Sequence, residues 1–416
     1  MLSSWRCCRE EQPPGRKIPA DLEVFGEKDY FYKKKDDYRA GDKGVGGDMP
    51  CRGGFLQIWE NISCKIKELK KLRYIILILL AAFILVARNS TAVGEWYAVT
   101  VYPAVSAALS FCVSWIPFSM EEIVVLSGAA IAVGIIIMGV KKKQRWYKVC
   151  LKELELAVWI VVWFYMGWGM NYFRESLYVR GGVERQKYNE VVFREFLTDY
   201  AENLNAAYVD SLSPLKVEDF SDDIKSRYAL IPEQMGLCAP RQWQEPKKLL
   251  LNGIYSAVGV LGYMGPFFNE IQLNGDLLPA QVPFCYAHEL SHQLGVSNED
   301  EANFWAYQMC RYSQIPQVRY SGYFAMLPYV LSNASRVLLP DEYKAFQQSI
   351  RPEVRRQFVE QREFWNSKYS KLLGNIQSAI YNAMLKGNKI SSGTANYIQV
   401  VDMIIAFEYA QNGKEL

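Results

Sequence analysis

The pattern of hydrophobic and polar positions changes twice along the chain. Residues 1–60 show no period. They are polar, carry Pro and Gly, and include the charge run Lys33-Lys34-Lys35-Asp36-Asp37. Such a segment has too little apolar surface to offset the entropy of ordering, which predicts a disordered tail. No signal peptide opens it, because the first apolar block comes too late. Near-continuous apolar blocks occupy 61–173. From 174 to 416 the pattern is that of an ordinary mixed domain.

Three blocks stand out in the middle region. Tyr74 to Ala87 comes first and extends toward Val93, with Arg88 able to snorkel to an interface. Ile123 to Val140 is second. Leu156 to Met170 is third, rich in Trp, with Tyr172 and Phe173 as interface anchors. A spanning helix needs about 20 apolar residues, so the blocks predict three transmembrane helices. Ala98 to Phe118 is also apolar, but Pro103 and Pro117 suit an interfacial or re-entrant segment. As a fourth span it would also reverse the topology that the charges favour.

Basic residues set that topology. Lys65, Lys67, Lys70, Lys71 and Arg73 precede the first block. Lys141, Lys142, Lys143, Arg145, Lys148 and Lys152 lie between the second and third, and Arg88 alone lies between the first and second. Positive-inside logic predicts an integral protein of the plasma membrane with a cytoplasmic N-terminus and an extracytoplasmic domain at 174–416.

Within that domain, Tyr188, Val192, Phe196, Tyr200, Leu204 and Tyr208 recur every four residues and predict a long helix with one buried face. Phe268 to Asn274 is the best strand: Phe268, Glu270 and Gln272 alternate, imperfectly, with Asn269, Ile271 and Leu273. Residues 341–411 read as two or three amphipathic helices whose apolar stripe, Val354, Phe358, Trp365, Tyr369, Leu372, Ile376 and Ile380, suits scaffold packing. The expected fold class is mainly α: three transmembrane helices followed by a helix-rich α+β domain with a small sheet.

Composition narrows the function classes. The net charge is +3, too small to argue for nucleic acid. The nine cysteines form no zinc-type C-x-x-C pairs, and their odd count leaves a Cys238–Cys310 disulfide open. Histidine changes the picture most. The chain has two, His288 and His292, in the pattern His288-Glu289-Leu290-Ser291-His292. On a helix, residues four apart share a face, so both imidazoles can bind one zinc ion. Glu289 can reach a water on the metal and act as general base. The bland alternative is a surface helix with two unrelated histidines.

With no histidine left, the third ligand is Asp, Glu or Cys, and carboxylate is the usual partner of two histidines in peptidases. Leu294-Gly295 predicts a helix stop. Asn298 or Ser297 caps a new helix, with Glu301 in capping-box position. Glu299, Asp300 and Glu301 open that helix, and one of them faces the metal. Glu299 and Glu301 compete for the role. An oxyanion donor, if a side chain, comes from Arg319, Tyr320 or Tyr323, although core or loop packing suits each of them better. Cys285, three residues before His288, reads as a buried small hydrophobe.

Glu299-x-x-Ala302-Asn303 resembles the E-x-x-A-N signature of glutamate-zincin families, including peptidases similar to those that cleave phage repressors. The resemblance implies Glu299 as third ligand and Asn303 as a residue orienting a histidine or the loop. The gap between His292 and Glu299 is short for such families. Over roughly residues 74–340 the chain also resembles a bacterial family known only as a domain of unknown function (number 3810). The matching stretches are Trp115-Ile116-Pro117-Phe118-Ser119, Trp168-Gly169-Met170-Asn171-Tyr172, residues 284–307 and Arg319-Tyr320-Ser321-Gly322-Tyr323. This resemblance implies a membrane-anchored zinc metallopeptidase acting on a peptide or protein, with membrane lipid as its surroundings. By analogy with zincins, the free edge of the Phe268–Asn274 strand would hold substrate by β-augmentation, with a short structural hairpin as the equal alternative. The alternatives are a membrane sensor with a weakly proteolytic domain, and a binding protein in which zinc, closed off by Cys285 or Cys310, only cross-links helices.

Overall fold

The computed structural model describes residues 52–185, 189–231, 233–388 and 399–411. Most of the expected disordered tail, and Tyr188 of the expected stripe, lie outside these. The chain divides into two compact units, Met1–Leu69 and Lys70–Leu416. The described part of the first is the opening of helix α1 (Arg52–Arg88).

The second unit is mainly helical. After α1 come α2 (Thr91–Trp96), a π-turn at Tyr97–Val101, and α3 (Tyr102–Val113). Then follow α4 (Met120–Lys141), α5 (Trp146–Gly167), a 3-10 turn at Gly169–Phe173, α6 (Leu177–Gly181), α7 (Glu190–Ala207) and α8 (Ser221–Tyr228). Strand β1 (Lys247–Lys248), helix α9 (Asn252–Ala257) and strands β2 (Gly262–Gly265) and β3 (Glu270–Leu273) lead into α10 (Val282–Gln293) and α11 (Glu299–Arg311). The chain closes with α12 (Pro316–Val337), α13 (Pro340–Ser349), α14 (Pro352–Lys368), α15 (Lys371–Gly387) and α16 (Gln399–Gln411).

Among the described residues, two helical segments are long and apolar enough to cross a membrane, Thr91–Val113 and Met120–Lys141, not three. Only the second expected block coincides with one of them. In α1 the uncharged run is only Tyr74 to Ala87, between Arg73 and Arg88. In α5 it is only Leu156 to Gly167, preceded by Lys152, Glu153 and Glu155. Both runs fall short of a bilayer. Helix α4 has 22 residues, about 33 Å at 1.5 Å each. Ser119 caps it by accepting from Glu122 N, two acids open it and Lys141 closes it. Its outward side chains are apolar, among them Leu126, Ile131, Val133 and Ile137.

The other candidate falls in the stretch that its prolines had marked as non-spanning. Pro103 sits in the first turn of α3, where its missing N–H costs nothing. Helix α3 is two-sided. Tyr102, Ser106 and Ser110, four apart, are buried. Ser106 Oγ donates to Asn269 Oδ1 at 2.9 Å, and Trp243 Nε1 donates to Ser110 Oγ at 3.2 Å.

The sheet has the order β1-β3-β2, with β1 parallel and β2 antiparallel to β3. The expected strand is therefore the central one. It has no free edge, which corrects the expectation that it holds substrate. Glu270, Ile271 and Gln272 are all buried, so alternation between a wet and a dry face had no reason to appear. The sheet is keyed to the loop between α3 and α4. Phe118 bridges Lys248, Ser119 N donates to Lys248 O at 3.0 Å, and the Glu122 carboxylate accepts from Leu250 N and Leu251 N at 2.6 and 2.9 Å. Beneath, Lys247 Nζ pairs with Glu270 Oε2 at 2.7 Å and donates to Val113 O at 2.6 Å. Glu270 Oε1 accepts from Glu121 N and Gln272 Nε2 at 2.8 and 2.7 Å.

Helix α7 buries Val192, Phe196, Tyr200 and Leu204, as the four-residue period predicts, and adds Phe193 and Leu197 to widen the stripe against α12. Among the described residues the C-terminal region forms four helices, and Pro340 and Pro352 each sit at a first helical turn and start a new one. Its stripe splits. Val354 is buried, whereas Leu372, Ile376 and Ile380 on α15 are exposed, Leu372 at 71% and Ile380 at 67%. That half is not scaffold packing. Cys238, Cys285 and Cys310 are free and buried, so no Cys238–Cys310 disulfide forms.

Candidate metal centre

Helix α10 ends as its sequence dictates. Gly295, at φ +102°, takes the left-handed turn that a β-carbon would strain. The chain reverses, and Asn298 Oδ1 accepts from Glu301 N at 3.0 Å to start α11. The reversal lays the first turn of α11 beside the last turns of α10. His288, His292 and Glu299 thereby bring one ligand atom each to within 4.8 Å of one another. His288 Nε2 lies 3.3 Å and His292 Nε2 3.7 Å from Glu299 Oε2. The two Nε2 atoms are 3.1 Å apart. Donors at about 2.1 Å from a tetrahedral metal stand roughly 3.4 Å apart, so this triangle has the right size for a cation at its centre.

The ring orientations support the same use. His292 Nδ1 faces Val296 O at 2.8 Å. That places the proton on Nδ1 and leaves the Nε2 lone pair toward the triangle. His288 Nδ1 is buried without a hydrogen-bond partner. Glu301, the competitor, is occupied elsewhere: both its oxygens accept from Arg180 Nη2 at 2.6 Å, and Oε1 also accepts from Trp305 Nε1 at 3.2 Å. It supplies the cap position without closing the reciprocal box.

Charge is concentrated here. Burial alone would lower the His292 pKa, but Glu299 outweighs it and the value rises to about 9. Burial alone would raise Glu299; the histidines outweigh it and hold the carboxyl well below its usual range. Glu289 is raised, chiefly by burial and only partly offset by the histidines. Its position depends on β2. A β-carbon on Gly262 would stand 3.0 Å from Glu289 Cγ and 2.9 Å from Cys285 Sγ, so only glycine lets the strand lie this close to the helix.

Over residues 97–405 the chain matches the family described as "Protein of unknown function (DUF3810)". The chain belongs to the DUF3810 family. No curated protein and no solved structure matches it.

In this DUF3810 chain the two expected oxyanion donors make their contacts elsewhere. Tyr320 Oη donates to Gln357 Oε1 at 2.6 Å, and its ring packs on Tyr208 and Phe324. Tyr323 packs on Tyr200 and Tyr307. Arg319 Nη1 donates to Ser313 O at 3.2 Å. Two other tyrosines feel the Glu299 charge: Tyr172, raised by burial and then Glu299, and Tyr329, raised to about 12 by burial, then Glu299 and Asp300. Spacing along the chain could not find them, because they come from the turn after α5 and from the far half of α12. Asn303 is buried near Tyr329. Cys285 and Cys310 do not join the cluster. The backbone around His292 is held by groups far away in sequence. Trp168 Nε1 donates to His292 O at 2.8 Å, Tyr102 Oη to Gln293 O at 2.8 Å, and Arg174 Nη1 to Gly295 O at 3.2 Å.

Proposed function

We propose that the chain is a membrane-bound zinc peptidase of glutamate-zincin type, with His288, His292 and Glu299 as the metal's protein ligands. The observation that carries the reading is the size and composition of the triangle: two Nε2 atoms and a carboxylate oxygen, 3.1 to 3.7 Å apart, with Glu289 one residue along the helix. Two imidazoles and one carboxylate, with no fourth protein ligand among the described residues, are the donor set of a catalytic zinc site, which keeps a position open. A zinc ion bound there would supply Lewis acidity toward a carbonyl and acidify a water. Glu289, a stronger base for being raised by burial, is the group that would take a proton from water and return it to the leaving amine. The Nδ1–Val296 contact keeps His292 in the ligating tautomer. Strand β2, at the end of the sheet and against Glu289, is the edge on which an extended peptide would lie.

Elemental mass spectrometry on the detergent-purified chain tests the reading. About one zinc per chain is expected, lost in His292→Ala and Glu299→Ala and kept in Glu301→Ala. Zinc retained in Glu299→Ala but lost in Glu301→Ala would move the third ligand. No zinc in any sample would end the metallopeptidase reading in favour of a binding protein.

A further inference from the structure

The site is built into the apolar helices rather than held away from them. Trp168, whose indole holds His292 O, follows directly on α5. Five residues earlier on α5, Trp163 is partly exposed, and Ile160 and Val161 beside it point outward. Five residues of helix are roughly 8 Å. The tip of the β2–β3 hairpin rests at this same level: Trp163 Nε1 donates to Phe267 O at 3.1 Å, and its ring packs on Phe267 and Phe268 at 5.3 and 5.7 Å. Trp115, in the loop that pairs with the sheet, is 79% exposed. Exposed tryptophans flanking apolar helices mark the level of a membrane interface.

Helix α15 adds an independent sign. Leu372, Leu373, Ile376 and Ile380 lie outward on it. Its start is anchored near α9 through Ser370 N to Ala257 O at 2.8 Å. Its end meets α1 and α5 through Arg88 Nη1 to Gly387 O at 2.7 Å and Tyr165 Oη to Asn388 Oδ1 at 2.8 Å. An amphipathic helix tied at both ends, with its apolar side uncovered, is built to lie on a bilayer surface.

We infer that the polypeptide cut at this site is itself held by the membrane, and that its scissile bond is presented within about 10 Å of the bilayer boundary. This rests on the peptidase reading above. A chain entering from solution would need no such closeness, whereas a segment leaving a membrane helix reaches the triangle within about four extended residues.

The test uses the full chain in nanodiscs with zinc, as wild type and as Glu289→Gln. The probe is a randomised peptide library of about ten residues, long enough to extend roughly 33 Å. It is supplied either fused to a Leu-Ala transmembrane helix in the same nanodisc or free in solution, and mass spectrometry reads new termini. Expected are Glu289-dependent termini clustered next to the membrane helix, at least about ten-fold above those of the free library, since tethering raises effective concentration. Equal cutting of both forms, or cuts spread evenly along the tethered form, would overturn the inference and leave the peptidase standing. No Glu289-dependent cutting of either form would overturn the peptidase reading and this inference with it.

Discussion

Two buried polar clusters flank the sheet region, one at the loop between α3 and α4 and one at the turn between α10 and α11, and they hold buried charge in different ways. At the loop between α3 and α4, Lys247 and Glu270 neutralise each other at 2.7 Å, and the second Glu270 oxygen takes two further donors. Of this cluster's side-chain atoms, Gln272 Oε1 is left buried without a hydrogen-bond partner. Around His292, two imidazole nitrogens face each other at 3.1 Å, with the Glu299 carboxylate 3.3 and 3.7 Å from them. The first cluster matches its carboxylate with a lysine and ties the sheet to that loop. The second crowds two imidazoles onto one carboxylate, which draws a proton onto His292. A lysine–carboxylate pair holds a fold, whereas two imidazoles crowded onto one carboxylate form a donor set that a metal can use.

The comparison breaks most visibly at Glu289. Glu289→Gln should lower turnover by about 10²- to 10⁴-fold with unchanged zinc content, read by peptide hydrolysis beside elemental analysis. Loss of zinc together with turnover would instead make Glu289 part of the metal-holding set. Lys247→Met attacks the other cluster. It leaves the Glu270 charge unpaired and should cost about 3–5 kcal/mol in detergent unfolding, with Lys247→Met/Glu270→Leu recovering most of it. Folded protein should still bind zinc. If zinc binding fell first, the two clusters would not be separable.

Gly262→Ala sharpens the contrast more finely. The added carbon must displace Glu289 or Cys285 at a cost of about 1–3 kcal/mol, so turnover should drop about ten-fold through misplacement while zinc stays. An unchanged rate would mean that Glu289 is not positioned by β2. The metal-free protein should also respond to pH. His292 is raised from 6.5 to about 9 in the fold. Its stabilising contribution is complete below pH 6.5 and is lost as pH rises through about 9. Melting temperature should fall across that window without zinc and fall less with it. The smallest effect is expected from Asn298→Ala, about 1 kcal/mol from the lost cap, with slightly weaker zinc binding because Glu299 is the next residue.

The histidine spacing, the stop at Gly295 and the cap at Asn298 were legible because each is a local property: helical geometry, a positive φ and an orphan N–H within a few residues. The α7 stripe was legible for the same reason. The choice of Glu299 over Glu301 was not derivable locally. It depends on Arg180, brought from α6, which holds Glu301. The tyrosines near the triangle were misjudged for a related reason. Tyr320 and Tyr323 follow the motif in sequence but belong to the packing of α12 with α7 and α11, whereas Tyr172 comes from before the domain.

The membrane region shows where pattern reading fails. Hydropathy alone counts Leu156–Met170 as a block, but a bilayer tests uninterrupted length, and Glu155 ends it too soon. Pro103 argues against a helix only if it falls in the interior, and α3 happens to begin there. The exposed half of the C-terminal stripe has the period of a core helix, and no periodicity says whether the apolar face meets protein or something else.

What the sequence determined by itself is short-range: which residues can share a helix face, where a helix must stop, and that the only two histidines flank a glutamate. The tertiary structure decided which carboxylate meets them, which strand is central and which is an edge, and that the site sits beside apolar helices. These depend on contacts between residues tens or hundreds apart, where packing and buried charge, rather than local propensity, carry the free energy.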